Sequence, residues 1–531
     1  MRRRRFILAS LAAPLVLTGA RARANTGSAM DFNLEEATID QIGAAMRAQR
    51  TTALALVRAY GARIDSIDRA GPTLKSVIEF NPEAEAIAQA LDTEARGGRW
   101  RGPLHGVPVL VKDNIASADR MQTSAGSPAL MGAQAPRDAY VVQRLRAAGA
   151  VLLGKTNLSE WANIRGQHSI SGWSTRGGQT LNPYALDRSP SGSSSGSGAA
   201  TSANLCAASV GTETDGSITS PSSANGLVGL KPTVGALSRD GIVPISFSQD
   251  TPGPMCRTVR DAALLLAAMA GVDPRDATTR ASAKRLQTAA LEKVDSRSLR
   301  GVRLGIASNL ASSQRGVVKL FDDAQAALKS LGAEIVEAPI PNTDKLWPSE
   351  LDVLLFELKH AMALYLREFA PNLPHKTLAD LINYNQQHAS SVLALFGQEL
   401  FEQAQAKGTI RTAAYRKALN DSQRYARTLG LDAILRTKRL HALIAPTGEP
   451  AWLIDTVNGD AAGGASATSP PAVAGYPHVT VPMGLTGGLP VGLSFIGPAW
   501  SDVRMLQYAH AYEQATKLRQ LPTYKATSVQ R

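Results

Sequence analysis

"RSPSGSSSGSGAA", residues 188–200, has the composition of a flexible tether, since Ser and Gly bury little and cost little to leave mobile. A tether belongs between folded units. This one runs instead into the small and apolar stretch "ATSANLCAASVGTETDGSITSPSS", residues 200–223, inside the most strongly patterned part of the chain. Its small residues therefore call for a structural reason.

Working outward, short apolar runs flank the segment: "GVPVLVKDNI" (106–115), "AVLLGK" (150–155) and "GLVGLKPT" (226–233). Between them lie helical patterns such as "AYVVQRLRAAG" and "TVRDAALLLAAMAG". Four- to six-residue aliphatic runs alternating with helices predict an α/β fold around one buried sheet. Upstream, "TTALALVRAYGARIDSIDRAG" reads as a helix capped by Thr51 or Thr52 and ended by Gly71. Residues 275–435 read as a mostly helical elaboration, after which strand-like runs return in "HALIAPT", "PHVTVPMG" and "LPVGLSFIG", closed by the helix "SDVRMLQYAHAYEQATK". The late runs have the buried character of the early ones, so both ends are expected in one sheet, with residues 25–531 forming a single domain.

The start "MRRRRFILASLAAPLVLTGARARA" has a basic cluster, an apolar stretch and small residues at Ala22 and Ala24. That is the pattern of an export signal cleaved after Ala24, and it places the protein in the periplasm or outside the cell. The apolar stretch is too short to span a bilayer, so the mature chain is expected to be soluble. Paired arginines permit a twin-arginine route. The chain has 531 residues and a formal charge of +13, nearly half of it from the six Arg of residues 1–24. The remaining basic residues are scattered without interleaved aromatics, which argues against nucleic acid. Eight His lack metal-ligand spacing, so neither metal nor cofactor is expected. The two cysteines, Cys206 and Cys256, sit in apolar stretches and read as buried free thiols.

Three motifs compete for the chemistry. "GAVLLGKT" (149–156) fits a phosphate-loop pattern, but its four intervening residues belong in a strand rather than a loop. "GSSSG" (192–196) fits a nucleophile elbow centred on Ser194, with His478 and His510 as partners in an α/β-hydrolase. The elbow requires an apolar strand running into the serine, and "NPYALDRSPS" is polar and carries two prolines. The third reading joins Lys112, at the end of "VPVLV", with Ser193 and Ser217.

The ordered set "KDN", the Ser/Gly segment, "GTETDGSITS", "GLKPT", "SRDGIVPISFSQDTPGP", "AVAGYPHVTVPMG" and "GLPVGLSFIG" resembles the amidase signature family. The likeness covers most of residues 34–270 and 440–515. It implies the family's fold, a central mixed β-sheet covered by helices on both faces. It also implies a Ser–Ser–Lys triad: Lys112 as base, Ser193 as bridging serine on a cis peptide bond, and Ser217 as nucleophile. Lys155 and Lys231 are rival bases whose matched positions in the family are not catalytic. Backbone N–H groups of Thr214, Asp215, Gly216 and Ser217 would form the oxyanion hole. One departure stands out, because the family commonly has two glycines before the nucleophile and this chain has Asp215-Gly216. "GTETDGS", "SEWANIRG" and "LFGQEL" look most like the bacterial peptide amidases of the family, which remove C-terminal amides from peptides.

The chemistry fits these residue types. A neutral amine can act as base only if its pKa of about 10.4 falls by roughly three units, which desolvation at the end of a buried strand supplies. The turn at Ser193 would have to pass close to Ser217 and substrate, which is a reason for small residues there. The alternatives are a general aliphatic or aromatic amide hydrolase, a non-catalytic binding protein on the same scaffold, and a glutamine-hydrolysing component of a transamidation complex. Export argues against the last, and a monomeric enzyme acting on a small-molecule or peptide amide is the expected form.

Overall fold

The computed structural model describes residues 32–461 and 464–528. The leader read at residues 1–24 lies outside them. In chain order the strands are β1 (Val77–Phe80), β2 (Pro108–Lys112), β3 (Val151–Thr156), β4 (Trp173–Ser174), β5 (Gly178–Gln179), β6 (Ala208–Glu213), β7 (Val228–Lys231), β8 (Thr251–Cys256), β9 (Arg303–Ile306), β10 (Glu334–Glu337), β11 (Ala442–Pro446), β12 (His478–Thr486) and β13 (Leu489–Ile496). β4 and β5 form a small ribbon. The other eleven make one sheet in the order β1-β3-β2-β6-β8-β7-β12-β13-β11-β9-β10. It is mixed: β3, β2 and β6 run parallel, and β6, β8, β7, β12 and β13 alternate in direction.

Every residue of β2, β6, β8 and β13 is buried. Successive strand residues point to opposite faces, so both faces of the sheet are covered. As expected, strands from the two ends of the chain share this sheet. Residues 275–435 are not helical throughout, because they also supply β9 and β10 at the sheet's edge. These four-residue strands are too short to show a period of their own in the sequence.

Local signals act as their chemistry predicts in the helix Ala53–Arg63, where the Thr52 hydroxyl accepts from Ala55 N–H at 3.1 Å; a wider helical turn Ile64–Arg69 follows before Gly71, at φ 57°, ends the stretch. Cys206 and Cys256 are free and buried. Among the described residues no helix is long and apolar enough to cross a membrane.

The Ser/Gly segment is not a tether. Ser195–Ser202 is a helix with all eight residues buried, riveted to the sheet by hydroxyls from both sides. Ser194 Oγ donates to the Thr212 carbonyl at 3.1 Å, Ser209 Oγ donates to the Ser197 carbonyl at 3.0 Å, and the Thr156 and Ser197 hydroxyls meet at 2.8 Å. The glycines are required by proximity. A Cβ on Gly196 would lie 2.3 Å from the Ser76 carbonyl oxygen, and one on Gly192 would lie 2.3 Å from Ser159 Oγ.

This placement also corrects the two rival motifs. Residues 151–156 of the phosphate-loop pattern are β3, buried throughout, so no loop of free N–H groups exists to wrap phosphates. Ser194 follows no strand, is fully buried, and has its hydroxyl engaged with Thr212 on both its donor and acceptor sides. His478 bonds Ser494 Oγ at 2.6 Å and His510 bonds the Ser296 carbonyl at 2.9 Å. Neither forms a dyad with Ser194.

Candidate active site

Because β2 and β6 are parallel neighbours, their C-terminal ends emerge on one edge of the sheet, which is where open α/β sheets place ligand sites. β2 ends in Lys112, and β6 runs out into the loop carrying Thr214–Ser217. Lys112 is fully buried. Its Nζ has three oxygens around it: Ser193 Oγ at 2.7 Å, Thr212 Oγ1 at 2.9 Å and the Thr212 carbonyl at 3.3 Å. Burial pushes the Lys112 amine down to about 7, against the opposing pull of Asp250 and Glu213. With two N–H groups satisfied by Thr212, a neutral amine has its lone pair left for Ser193.

The rival lysines are equally buried and also depressed by desolvation, to about 8, yet they face elsewhere. Lys155 Nζ donates to the Ile115 carbonyl at 2.5 Å and to Thr123 Oγ1 at 2.8 Å, and Lys231 Nζ donates to the Pro232 carbonyl at 3.1 Å. Neither reaches a serine of the Ser/Gly segment or of the 214–217 loop.

The Gly192–Ser193 peptide bond is cis. The Ser193 side chain turns to Lys112, and the next residue's N–H donates to the Ser217 carbonyl at 3.1 Å, tying the two serine segments together. No side-chain hydrogen bond joins Ser193 to Ser217 among the described residues, so the junction is made by backbone. Ser217 is 8% exposed whereas Lys112 and Ser193 are sealed, which leaves Ser217 as the member of the three that solvent and substrate can reach.

The turn around Ser217 is shaped by Glu213, whose Oε2 accepts from the N–H groups of Ile218 at 2.8 Å and Thr219 at 2.9 Å. The N–H groups of Asp215, Gly216 and Ser217 donate to no protein acceptor among the described residues. They remain free for an oxyanion. Only Gly216 in this loop has positive φ, 75°. Asp215 is not in the left-handed region, so replacing the family's first glycine there carries no backbone penalty. Its side chain turns away to accept from Ser469 Oγ at 2.5 Å.

The Amidase family model matches residues 55–506. The chain belongs to the amidase signature family. This amidase is 48% identical to the native peptide amidase of Stenotrophomonas maltophilia, over 92% of this chain and 99% of that one, with a TM-score of 0.88. It is 39% identical to a probable amidase of Arabidopsis thaliana over 93% of each chain. To an amidase family protein of Bacillus anthracis it is 34% identical, over 92% of this chain and 93% of that one, with a TM-score of 0.83. The amidase is thus a hydrolase of amide C–N bonds, in a family characterised by the Ser–Ser–Lys triad.

Residues that the motifs did not single out complete the amidase site. Thr212 supplies two of the three oxygens around Lys112, and Asn114 Nδ2 donates to the same Thr212 hydroxyl at 2.9 Å. Asp250 Oδ1 accepts from the hydroxyl of Thr214, one of the residues already singled out, at 2.6 Å. The helix Leu346–Phe369 brings Glu350 to Gln249, while Glu357, seven residues on and equally buried, accepts instead from Ser246, Ser248 and Tyr415. Two glutamates at that spacing within an apolar helical run are the signal that could have pointed to them.

Proposed function

We propose that this amidase removes the C-terminal carboxamide of peptides through an acyl-enzyme on Ser217. Three places in the geometry support the roles. Lys112, whose neutral form gains ground as pH rises through about 7, draws a proton from Ser193, and Ser193 in turn takes one from Ser217 as its hydroxyl rotates toward the bridging serine. The Ser217 oxygen attacks the amide carbonyl, and the N–H groups of Thr214–Ser217 receive the developing oxyanion. The proton returns through Ser193 to the leaving ammonia; water then gives a proton to Ser193 and Lys112 as it attacks the acyl group, and that proton passes to the Ser217 oxygen as the acid leaves. The single observation that carries this reading is the buried Lys112–Ser193 contact at 2.7 Å beside the accessible Ser217.

The peptide-amide preference rests on the high identity to the peptide amidase across nearly the full length of both chains, together with "GTETDGS" and "SEWANIRG". Ammonia release from a panel of peptide amides, amino-acid amides, simple aliphatic and aromatic amides, and peptides with internal Asn or Gln tests it. Preference for short peptide amides is the expected result. Faster turnover of simple amides would refute the substrate and leave the mechanism standing. The reading extends to an exported protein, supported by the basic-apolar-small order of residues 1–24.

A further inference from the structure

Beneath the loop Thr214–Ser217 lies a pair of carboxyl groups that the relay does not use. Glu350, on the long helix Leu346–Phe369, is fully buried, and Asp215 is two residues before Ser217. Each has one oxygen explained. Asp215 Oδ2 accepts from Ser469 Oγ at 2.5 Å, and Glu350 Oε1 accepts from Gln249 Nε2 at 2.9 Å. Each has one buried oxygen without a donor, Asp215 Oδ1 and Glu350 Oε2, and the two side chains face each other. Gln249 Nε2 also donates to the Thr214 carbonyl at 3.3 Å, so the helix grips the loop at two points.

Two bare carboxylate oxygens in a dry site repel, whereas one proton between them makes a strong hydrogen bond. We propose that Glu350 is a positioning residue for the amidase reaction, holding the loop Thr214–Ser217 in place through a single proton shared between its Oε2 and Asp215 Oδ1. This rests on Ser217 being the nucleophile. Burial and the facing Asp215 push the Glu350 carboxyl well above the usual carboxylate range, and burial also raises Asp215. The other charged groups acting on the pair are Lys231 on β7 and Glu213 on β6, and the uncharged Gln249 meets it from the segment before β8. The clamp holds while the proton is present and opens as pH rises and removes it. Activity should therefore climb through the Lys112 titration and fall again on the alkaline side.

The test is peptide-amide kinetics from about pH 6 to about pH 10 for wild type, Glu350→Gln, Glu350→Ala and Ser217→Ala. Gln keeps an N–H toward Asp215 at every pH, so Glu350→Gln should lower kcat by no more than about threefold and lose the alkaline fall. Glu350→Ala should lower kcat roughly 10- to 100-fold with KM little changed. An unchanged alkaline limb in Glu350→Gln overturns the clamp, even where the alanine variant does not fold. So does an alanine variant equal to wild type in rate and profile. Activity retained by Ser217→Ala would instead overturn the nucleophile reading, and the clamp with it.

Discussion

Lys112 Nζ and Ser193 Oγ lie 2.7 Å apart across a separation of 81 residues, in a site from which solvent is excluded. The proposed chemistry rests on that contact, because it would give the amine a hydroxyl to deprotonate and it removes the water that would keep the amine charged.

The amine works as a base only without its extra proton. Burial brings Lys112 down to about 7, so kcat/KM should rise with pH through that region, ahead of the alkaline fall set by Glu350. Lys112→Ala should lower the rate roughly 10²- to 10⁴-fold and abolish that acid limb. A limb unchanged in the alanine variant would assign it to another group.

Ser217→Ala should abolish hydrolysis and labelling by a fluorophosphonate. Ser193→Ala should keep Ser217 in place but break the relay, with a loss of about 10²- to 10⁴-fold in kcat. A full rate in Ser193→Ala would mean that Lys112 reaches Ser217 without it.

The helix Ser195–Ser202 has no room for larger residues at its contact with the sheet. Gly196→Ala places a methyl 2.3 Å from the Ser76 carbonyl and 2.6 Å from that of Asn157, both backbone atoms. The expected cost is about 1–3 kcal/mol, read as a lowered thermal midpoint. An unaltered midpoint would show that the segment yields after all.

Arg165 and Glu160 form an ion pair with both side chains fully buried, and Arg165 also donates to the Phe396 carbonyl at 3.1 Å and lies over the Phe396 ring. Removing one partner strands the other charge, so Arg165→Met or Glu160→Ala should each cost about 3–5 kcal/mol. The double variant should lose less than the sum of the two, which a double-mutant cycle measures directly.

The sheet strands around the site were legible because their signal is local: "VPVLV", "AVLLG" and "PHVTVPMG" are runs of residues that can only be buried, and burial on both faces is what a central strand requires. Motif order was enough to propose Ser193 and Ser217, which the fold brings into adjoining segments beside Lys112. Glu350 was not singled out, because its seven-residue spacing from Glu357 in the helix Leu346–Phe369 marks burial but not a partner, and Asp215 lies 135 positions away. The same holds for Thr212, a strand residue whose importance comes from what its hydroxyl faces.

By itself the sequence determined the strands, the helix starts, the family, and a short list of candidates in which Lys112, Lys155 and Lys231 all end or follow apolar strands. Steric and hydropathic preferences act over a few residues and are written in neighbouring letters. Only the tertiary structure decided which lysine meets a serine, why the Ser/Gly segment must be small, and which acids sit under the loop Thr214–Ser217. Desolvation and hydrogen-bond partnership depend on chain segments brought together from far apart.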